Sequence, residues 1–397
     1  MWADRHVVVG VTGGIACYKA CHLVRRLADA GARVDVVLTR GATEFIRPLT
    51  FEALSGRPVL TSLWEPERAL AHIGLGQSAD LIIVAPATAH FLGRLAGGMA
   101  DDFLTALCLA RTKPLLVAPA MNDEMFAAEA TRDNLRTLRE RGVACVGPES
   151  GALAEGPSDR PGRMSEPDTI LHHAERVLRG GSALAGRRVV VTAGPTRESL
   201  DPVRVITNRS SGKMGFRIAQ AAWYRGASVR LISGPSAEPD PVGVEVERIE
   251  TTAELEQAVR QALPAADVLV MAAAPADYRP AAPLGRKSAR QEGKLSIALE
   301  PTPDILAATQ DARRLGALIV GFALETGDAV EKAAAKLRRK GLDLIVANDA
   351  LEPGAGPEVE TNRVTLIDAS GARQPVPFGT KAEVAEAIVN AIEVRLG

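Results

Sequence analysis

The amino-acid sequence predicts an α/β protein made of two doubly wound, Rossmann-like parallel-sheet domains. Three observations point there. Short β-branched runs alternate with stretches of helical spacing along the chain, a glycine-bearing turn follows the first such run in each half, and one stretch of small residues separates the halves.

The first half offers His6–Val11, Arg33–Leu38, Leu81–Ala85, Pro114–Ala118 and Val143–Val146 as strands. They are short, apolar and bounded by turn residues, as strands buried on both faces are. The segment Arg179-Gly-Gly-Ser-Ala-Leu-Ala-Gly-Arg187 then breaks the pattern with small, flexible residues, which places the domains at 1–180 and 181–397. Beyond it, Arg188–Thr192, Val229–Ile232, Val268–Met271, Leu318–Gly321 and Leu344–Ala347 repeat the strand pattern. Gly212 to Gly226 carries helical spacing through Met214, Ile218, Ala221 and Ala222, so a helix follows the long loop after the first strand of this half.

Composition narrows the function classes. The 397 residues are 46% hydrophobic and 24% charged with a net charge of −1, the balance of a soluble enzyme rather than a nucleic-acid binder. No apolar run approaches the ~20 residues of a membrane span, and no signal peptide precedes the first strand, so a cytoplasmic protein is expected. Cys17, Cys21, Cys108 and Cys145 lack zinc-like pairing and read as reduced thiols.

The longest functional signal is Thr192-Ala-Gly-Pro-Thr-Arg-Glu-Ser-Leu-Asp-Pro-Val-Arg-Val-Ile-Thr-Asn-Arg-Ser-Ser-Gly-Lys-Met-Gly215. Gly212 and Gly215 let backbone N–H groups approach an anion, Ser210 and Ser211 offer hydroxyls, and a helix N-terminus adds the positive end of its dipole. This is the pattern of a phosphate and nucleotide site. The first half has a second anion cradle in Val7-Val-Val-Gly-Val-Thr-Gly-Gly-Ile-Ala-Cys-Tyr-Lys19, a strand running into a double-glycine turn without G-x-G-x-x-G spacing.

Residues 192–216 closely resemble the ligase half of the bacterial bifunctional phosphopantothenoylcysteine synthetase/decarboxylase family of coenzyme A biosynthesis. Ala71-His-Ile-Gly-Leu75, Ala85-Pro-Ala-Thr-Ala-His90, Ala96-Gly-Gly-Met-Ala-Asp-Asp102 and Ala118-Pro-Ala-Met-Asn122 resemble the flavin-containing cysteine decarboxylases. That resemblance implies a flavodoxin-like first domain in which Thr12, Gly13, Gly14, Ile15, Ala16, Thr39, Ala85 and Thr88 hold FMN, while His72 and Asn122 face the substrate. The chemistry explains the flavin: a cysteinyl amide carboxylate has no neighbouring electron sink, and oxidation of the thiol-bearing carbon creates one. His72 suits the thiol proton, and the Asn122 amide can hold the leaving carboxylate without adding a repelling charge.

In the second half the resemblance continues through Ala273-Ala-Pro-Ala-Asp-Tyr-Arg-Pro280, Lys287-Ser-Ala-Arg290, Pro301-Thr-Pro-Asp-Ile305, Gly321-Phe-Ala-Leu-Glu-Thr326, Lys340-Gly-Leu-Asp343 and Ala347-Asn-Asp349. Relatives join 4′-phosphopantothenate to L-cysteine through an acyl-cytidylate made from CTP. The resemblance assigns Asn208 to the acyl-cytidylate step, Lys287 to the phosphates, and Lys336 and Lys340 to nucleotide binding. It places Asp277 at the nucleotide or its Mg2+, gives Ala272, Ala273, Pro303, Asp304 and Ile305 backbone contacts, and sets Phe322 against the base or ribose. The resemblance also implies trimeric flavin domains and dimeric ligase domains, and so a homo-oligomer, a dodecamer.

The chain departs from the family pattern in places. His90 stands where many relatives have asparagine, Lys287-Ser-Ala-Arg290 replaces a denser lysine run, and Pro301-Thr-Pro-Asp replaces Asn-Pro-Asp. Gly151-Ala-Leu-Ala-Glu-Gly-Pro-Ser-Asp-Arg-Pro-Gly-Arg-Met164 resembles a mobile substrate clamp that elsewhere reads Leu-Ala-Cys-Gly with the cysteine as proton donor. Glu155 takes the cysteine's place, so Glu155 or a bound water is the expected donor. The alternative is a ligase whose flavin-binding half is non-catalytic or releases an enethiol.

Overall fold

The computed structural model describes residues 1–64, 70–287 and 296–397. The chain divides into two compact units, Met1–Leu178 and Arg179–Gly397.

In the first unit the elements run β1 (His6–Val11), α1 (Cys17–Asp29), β2 (Arg33–Leu38), α2 (Arg40–Thr43), α3 (Pro48–Ser55), α4 (Ala71–Ser78), β3 (Leu81–Ala87) and α5 (Ala89–Ala96). They continue through α6 (Phe103–Ala110), β4 (Leu115–Pro119), α7 (Asp123–Ala127), α8 (Glu129–Glu140), β5 (Ala144–Cys145) and α9 (Pro167–Leu178). All five strands are parallel in the order β2-β1-β3-β4-β5, the flavodoxin-like order. From Val7 on, the β1 run is apolar because its alternate side chains enter two cores. Val7, Val9 and Val11 join Leu23, Val24 and Leu27 of α1, while Val8 joins Phe91 and Leu92 of α5 and Leu104 of α6. Helical connections such as the 13-residue α1 carry the chain back over the sheet, as parallel pairing requires.

The second unit repeats this logic at larger scale: β6 (Arg188–Ala193), β7 (Arg197–Ser199), β8 (Val205–Thr207), α10 (Lys213–Tyr224), β9 (Ser228–Ser233), β10 (Glu245–Arg248), α11 (Thr252–Ala262), β11 (Val268–Met271), β12 (Tyr278–Pro280) and β13 (Leu299–Pro301). It closes with α12 (Ile305–Ala308), β14 (Leu318–Glu325), α13 (Ala329–Lys340), β15 (Leu344–Asp349), β16 (Thr361–Asp368), β17 (Arg373–Thr380) and α14 (Lys381–Leu396). Its main sheet has the order β10-β9-β6-β11-β14-β15-β16-β17. The first six strands are parallel; five of them were expected, whereas the edge strand β10 and the antiparallel extension by β16 and β17 were not foreseen. β16 mixes polar and apolar residues, β17 is exposed at most positions and carries Pro375 and Pro377, so neither has the continuous apolar run that marked the others. Two short ribbons, β7 with β8 and β12 with β13, also went unread because each strand spans three residues.

The predicted helix over 212–226 forms as α10 with Gly212 as its N-cap at φ 80°. Gly215 presses against β6: a methyl group there would lie 2.6 Å from Ala193 Cβ and 2.9 Å from Thr192 O. Both obstacles belong to a buried strand, so neither can move aside cheaply. Gly215→Ala is expected to destabilise the second unit by ~1–3 kcal/mol. Urea unfolding read by Trp223, buried on the same helix, checks this; an unchanged midpoint would show that α10 has room to lift off the sheet.

Candidate functional site

In the first unit the chain leaves β1 toward β2 and then returns past β1 to β3, so the loops after β1 and β3 diverge at the carboxyl end of the sheet. Such a reversal opens a crevice. One buried side chain spans it: Thr12 donates its hydroxyl to Pro86 O at 2.8 Å and accepts from Thr88 N at 3.0 Å. Above lies a cavity of about 1000 Å³ whose wall includes Thr12, Gly13, Gly14, Ile15, Ala16, Thr39, Thr88 and Asn122. Eight sequence-predicted residues thus meet at one place. The backbone comes close here because a Cβ on Gly13 would fall 2.6 Å from the Gly41 carbonyl carbon.

Several polar residues on this wall also start helices. Thr39 accepts from Ala42 N, Thr88 from Phe91 N at 3.3 Å, and Asn122 Oδ1 from Glu124 N at 2.9 Å and Met125 N at 3.3 Å. Capping fixes Asn122: its oxygen is committed to α7, so its Nδ2 points outward, where it donates to the Glu155 carboxylate.

Two predicted residues lie elsewhere. Ala85 is fully buried within β3, in the core rather than on the cavity wall, because the strand runs on to Ala87. His72 on α4 is also off the wall, standing edge-on to the cavity-lining Phe103 with ring centroids 6.1 Å apart. Its Nδ1 is buried and, among the described residues, has no hydrogen-bond partner, so the ring keeps an unused polar atom.

The wall carries charges that the sequence reading left without a role. The Arg94 guanidinium is held by both Asp101 and Asp102, with 2.9 Å to the latter, and lies 3.5 Å from His90 Nε2. Lys19 is buried at 5% exposure and donates to Met164 O at 2.8 Å and Glu166 at 2.9 Å. That lysine pulls the Glu166 carboxyl below its ordinary range despite opposing desolvation. A lysine four residues before Leu23 on the apolar face of α1 was the available signal. Of the cysteines, Cys108 is buried deeply enough that its thiol is pushed up to about 12, an inert packing group.

The second unit has the same reversal, between β6 and β11. Thr192 Oγ1 accepts from Ala273 N at 3.1 Å, Thr196 Oγ1 accepts from Ala276 N at 2.9 Å, and Asn208 donates to Pro275 O at 2.8 Å. Around that crevice, Thr302 N donates to Asp277 O at 2.9 Å, Lys340 pairs with Asp304 at 2.9 Å, and Lys336 donates to Phe322 O at 2.8 Å. Asp304 caps α12, the helix that begins with Ile305. Burial opposes the Asp304 charge, yet Lys340 holds its carboxyl below the ordinary range. Lys336 moves the other way from a free lysine: burial, reinforced by Lys340, lowers its pKa. A merely solvated basic helix face is thereby replaced by two partnered lysines on α13.

Asp277 is exposed, and no group of three or more potential metal ligands occurs among the described residues. Lys287 is exposed, and the rest of its motif, residues 288–290, lies outside the described residues. Among the described residues, no helix is long and apolar enough to cross a membrane.

Residues 1–179 match the family described as Flavoprotein, and residues 184–395 match the DNA/pantothenate metabolism flavoprotein C-terminal domain. The chain is 47% identical to the coenzyme A biosynthesis bifunctional protein CoaBC of Mycobacterium tuberculosis over 98% of this chain and 96% of that one. The chain belongs to this bifunctional family. It is also 44% identical to the Escherichia coli member, over 99% of this chain and 98% of the relative. A crystal structure of the C-terminal domain of a CoaBC protein is 40% identical over 54% of this chain and 98% of its own, with a TM-score of 0.46.

Lys19 ties the clamp-like stretch 151–164 to α1 from below. Lys19→Met is expected to lower the stability of the first unit by ~1–3 kcal/mol, the range for a buried carbonyl and a carboxylate losing a charged donor. Hydrogen exchange should quicken over residues 150–166; exchange at the native rate would mean that Lys19 does not anchor the stretch.

Proposed function

We propose that this family member joins 4′-phosphopantothenate to L-cysteine with CTP and decarboxylates the resulting 4′-phosphopantothenoylcysteine to 4′-phosphopantetheine with FMN. Coverage carries this reading: relatives named as bifunctional coenzyme A biosynthesis proteins match 98% or 99% of the chain, so both units are accounted for in one order. The decarboxylase is assigned to residues 1–180 and the ligase to 181–397.

The first cavity fits FMN. Its volume, the Gly13 close approach that leaves backbone N–H groups accessible, and the hydroxyls of Thr12, Thr39 and Thr88 suit a phosphate-bearing, planar ligand. Bound there, FMN would supply the electron sink that the cysteinyl carboxylate lacks. Asn122 contributes two N–H donors without a charge, fixed in direction by its cap to α7. His72, with its unused ring nitrogen, is the base assigned to the thiol. Arg94 is neutralised by two carboxylates and serves to shape the wall rather than to bind an anion.

In the ligase, the 4′-phosphopantothenate carboxylate attacks the α-phosphorus of CTP, pyrophosphate leaves, and the cysteine amine displaces CMP. Asn208 is assigned to the acyl group, Lys287 to the phosphates, and Lys336 and Lys340 to the nucleotide. Asp277 is assigned to Mg2+, which takes most of its ligands from phosphate and water and needs few from protein. Ala272, Ala273, Pro303, Asp304 and Ile305 line the nucleotide's path, and Phe322 takes the base or ribose. A cytoplasmic homo-oligomer with trimeric flavin and dimeric ligase contacts completes the proposal.

A one-pot assay of the purified protein with 4′-phosphopantothenate, cysteine, CTP, Mg2+ and FMN tests both halves. Pyrophosphate, carbon dioxide and 4′-phosphopantetheine should all appear; pyrophosphate without carbon dioxide would confine catalysis to the ligase. The Lys336 assignment has its own test. Its pKa is depressed in the free protein, and a polyphosphate favours the charged form, so CTP binding should take up protons and weaken as pH rises through that depressed value. Calorimetry at alkaline pH, where Lys336 titrates, in buffers of different ionisation enthalpy should reveal the uptake, and Lys336→Met should abolish it. Identical heats in all buffers at that pH would place Lys336 away from the nucleotide.

A further inference from the structure

Lys19, Arg40, Arg94 and Arg163 are the arginines and lysines that line the first unit's cavity. Carboxylates answer all but one of them. Lys19 lies 2.9 Å from Glu166, Arg163 pairs with the same carboxylate, and Arg94 pairs with Asp101 and Asp102. Arg40 differs. It is exposed and, among the described residues, its guanidinium has no partner. Its backbone, by contrast, is fixed. Thr39 N donates to Val11 O at 3.1 Å, the Thr43 hydroxyl donates to Arg40 O at 2.7 Å, and Gly41 packs on the Gly13 turn. An arginine so rooted can offer its planar fork of N–H groups to an oxyanion in the cavity.

The order of the sheet measures how far this cation stands from Asn122. Arg40 follows β2 and Asn122 follows β4, with β1 and β3 between them. Three strand spacings of ~4.8 Å set the two loops about 14 Å apart. In 4′-phosphopantothenoylcysteine about a dozen bonds join the cysteine carboxylate to the phosphorus, as many as in about four extended residues, which reach roughly 14 Å. The two lengths agree.

We infer that Arg40 anchors the substrate's phosphate in the decarboxylase: with the carboxylate at Asn122, the extended substrate crosses the cavity and brings its 4′-phosphate to the Arg40 guanidinium. This rests on the decarboxylase reading of the first unit. The phosphate of FMN is otherwise provided for. The glycine turn assigned to it follows β1, one spacing nearer Asn122, and offers backbone N–H groups. A second phosphate in the same cavity meets the first as a like charge, so it needs a cation of its own. Arg40 thereby sets the preference for a phosphorylated substrate. Its exposure makes that preference sensitive to salt, and its two-pronged geometry is one that lysine reproduces only in part.

The full-length, FMN-saturated protein is assayed for carbon dioxide release without CTP. 4′-Phosphopantothenoylcysteine is compared with pantothenoylcysteine in wild type, Arg40→Gln and Arg40→Lys. Wild type should favour the phosphorylated substrate in kcat/KM on the order of 30-fold, with the preference residing in KM and shrinking as salt rises. Arg40→Gln should cut that preference to about threefold or less, and Arg40→Lys should keep part of it. The matching serine compounds, which lack the thiol, give a readout without turnover: the change in flavin absorbance on titration reports binding in this cavity alone and should show the same ratios. No preference in wild type, a preference retained by the glutamine variant, or an equal loss with both substrates overturns the inference. FMN and riboflavin affinities separate the other phosphate. If Arg40→Gln weakens FMN alone and leaves the substrate preference intact, the guanidinium serves the cofactor and the inference fails. Absence of carbon dioxide from wild type with either substrate overturns the decarboxylase reading itself.

Discussion

A doubly wound sheet has one place where the chain reverses its direction of growth, and there two adjacent strands end in loops that must part company. The loops lose their ladder partners at that point, and their backbone groups need others. In this protein threonine hydroxyls supply them. Thr12 joins the loops after β1 and β3, and Thr192 and Thr196 join those after β6 and β11, each fully or almost fully buried. A hydroxyl can donate and accept at once, so one side chain can span a gap that neither strand can close. Both candidate sites stand on these bridges, and the loops can carry chemistry because their roots are fixed.

The same economy appears one layer out. Thr39, Thr88, Asn122 and Asp304 were read from the sequence as ligand-facing, and each also caps a helix. Capping orients the group and helps to define what it can still offer. Asn122 keeps only its amide hydrogens, and Asp304 gains a lysine partner. A residue that looks versatile in sequence is thus narrowed by local structure before any ligand arrives.

This narrowing explains what was legible and what was not. Ten parallel strands were visible because strands covered on both faces are mostly apolar, and β1, β2 and β11 begin and end where their runs do. The half-exposed β16 and β17, and ribbons of three residues, have no such requirement. The glycine-rich cradle was legible because close backbone approach excludes side chains, as Gly13 demonstrates. Position relative to the cavity was harder to read. Ala85 belongs to a motif whose end lines the wall while its start lies in the core, and His72 sits on a helix whose facing depends on Phe103. Lys19 was overlooked because a charge on an apolar helix face acquires meaning only when its distant partners, Met164 and Glu166, are known.

The outer strand of the second sheet also bears on how the molecule meets others. A proline has no N–H to give, so Pro375 and Pro377 must both occupy positions where β16 asks for no donor, and being two apart they turn the same way, outward. A foreign strand approaching β17 therefore meets a row with two of its donors removed. Crowding in the cell would tend to drive exposed sheets into shared ribbons and then into aggregates. This margin is closed to such growth, and contacts between copies are directed to side-chain surfaces, where fit and charge can choose the partner.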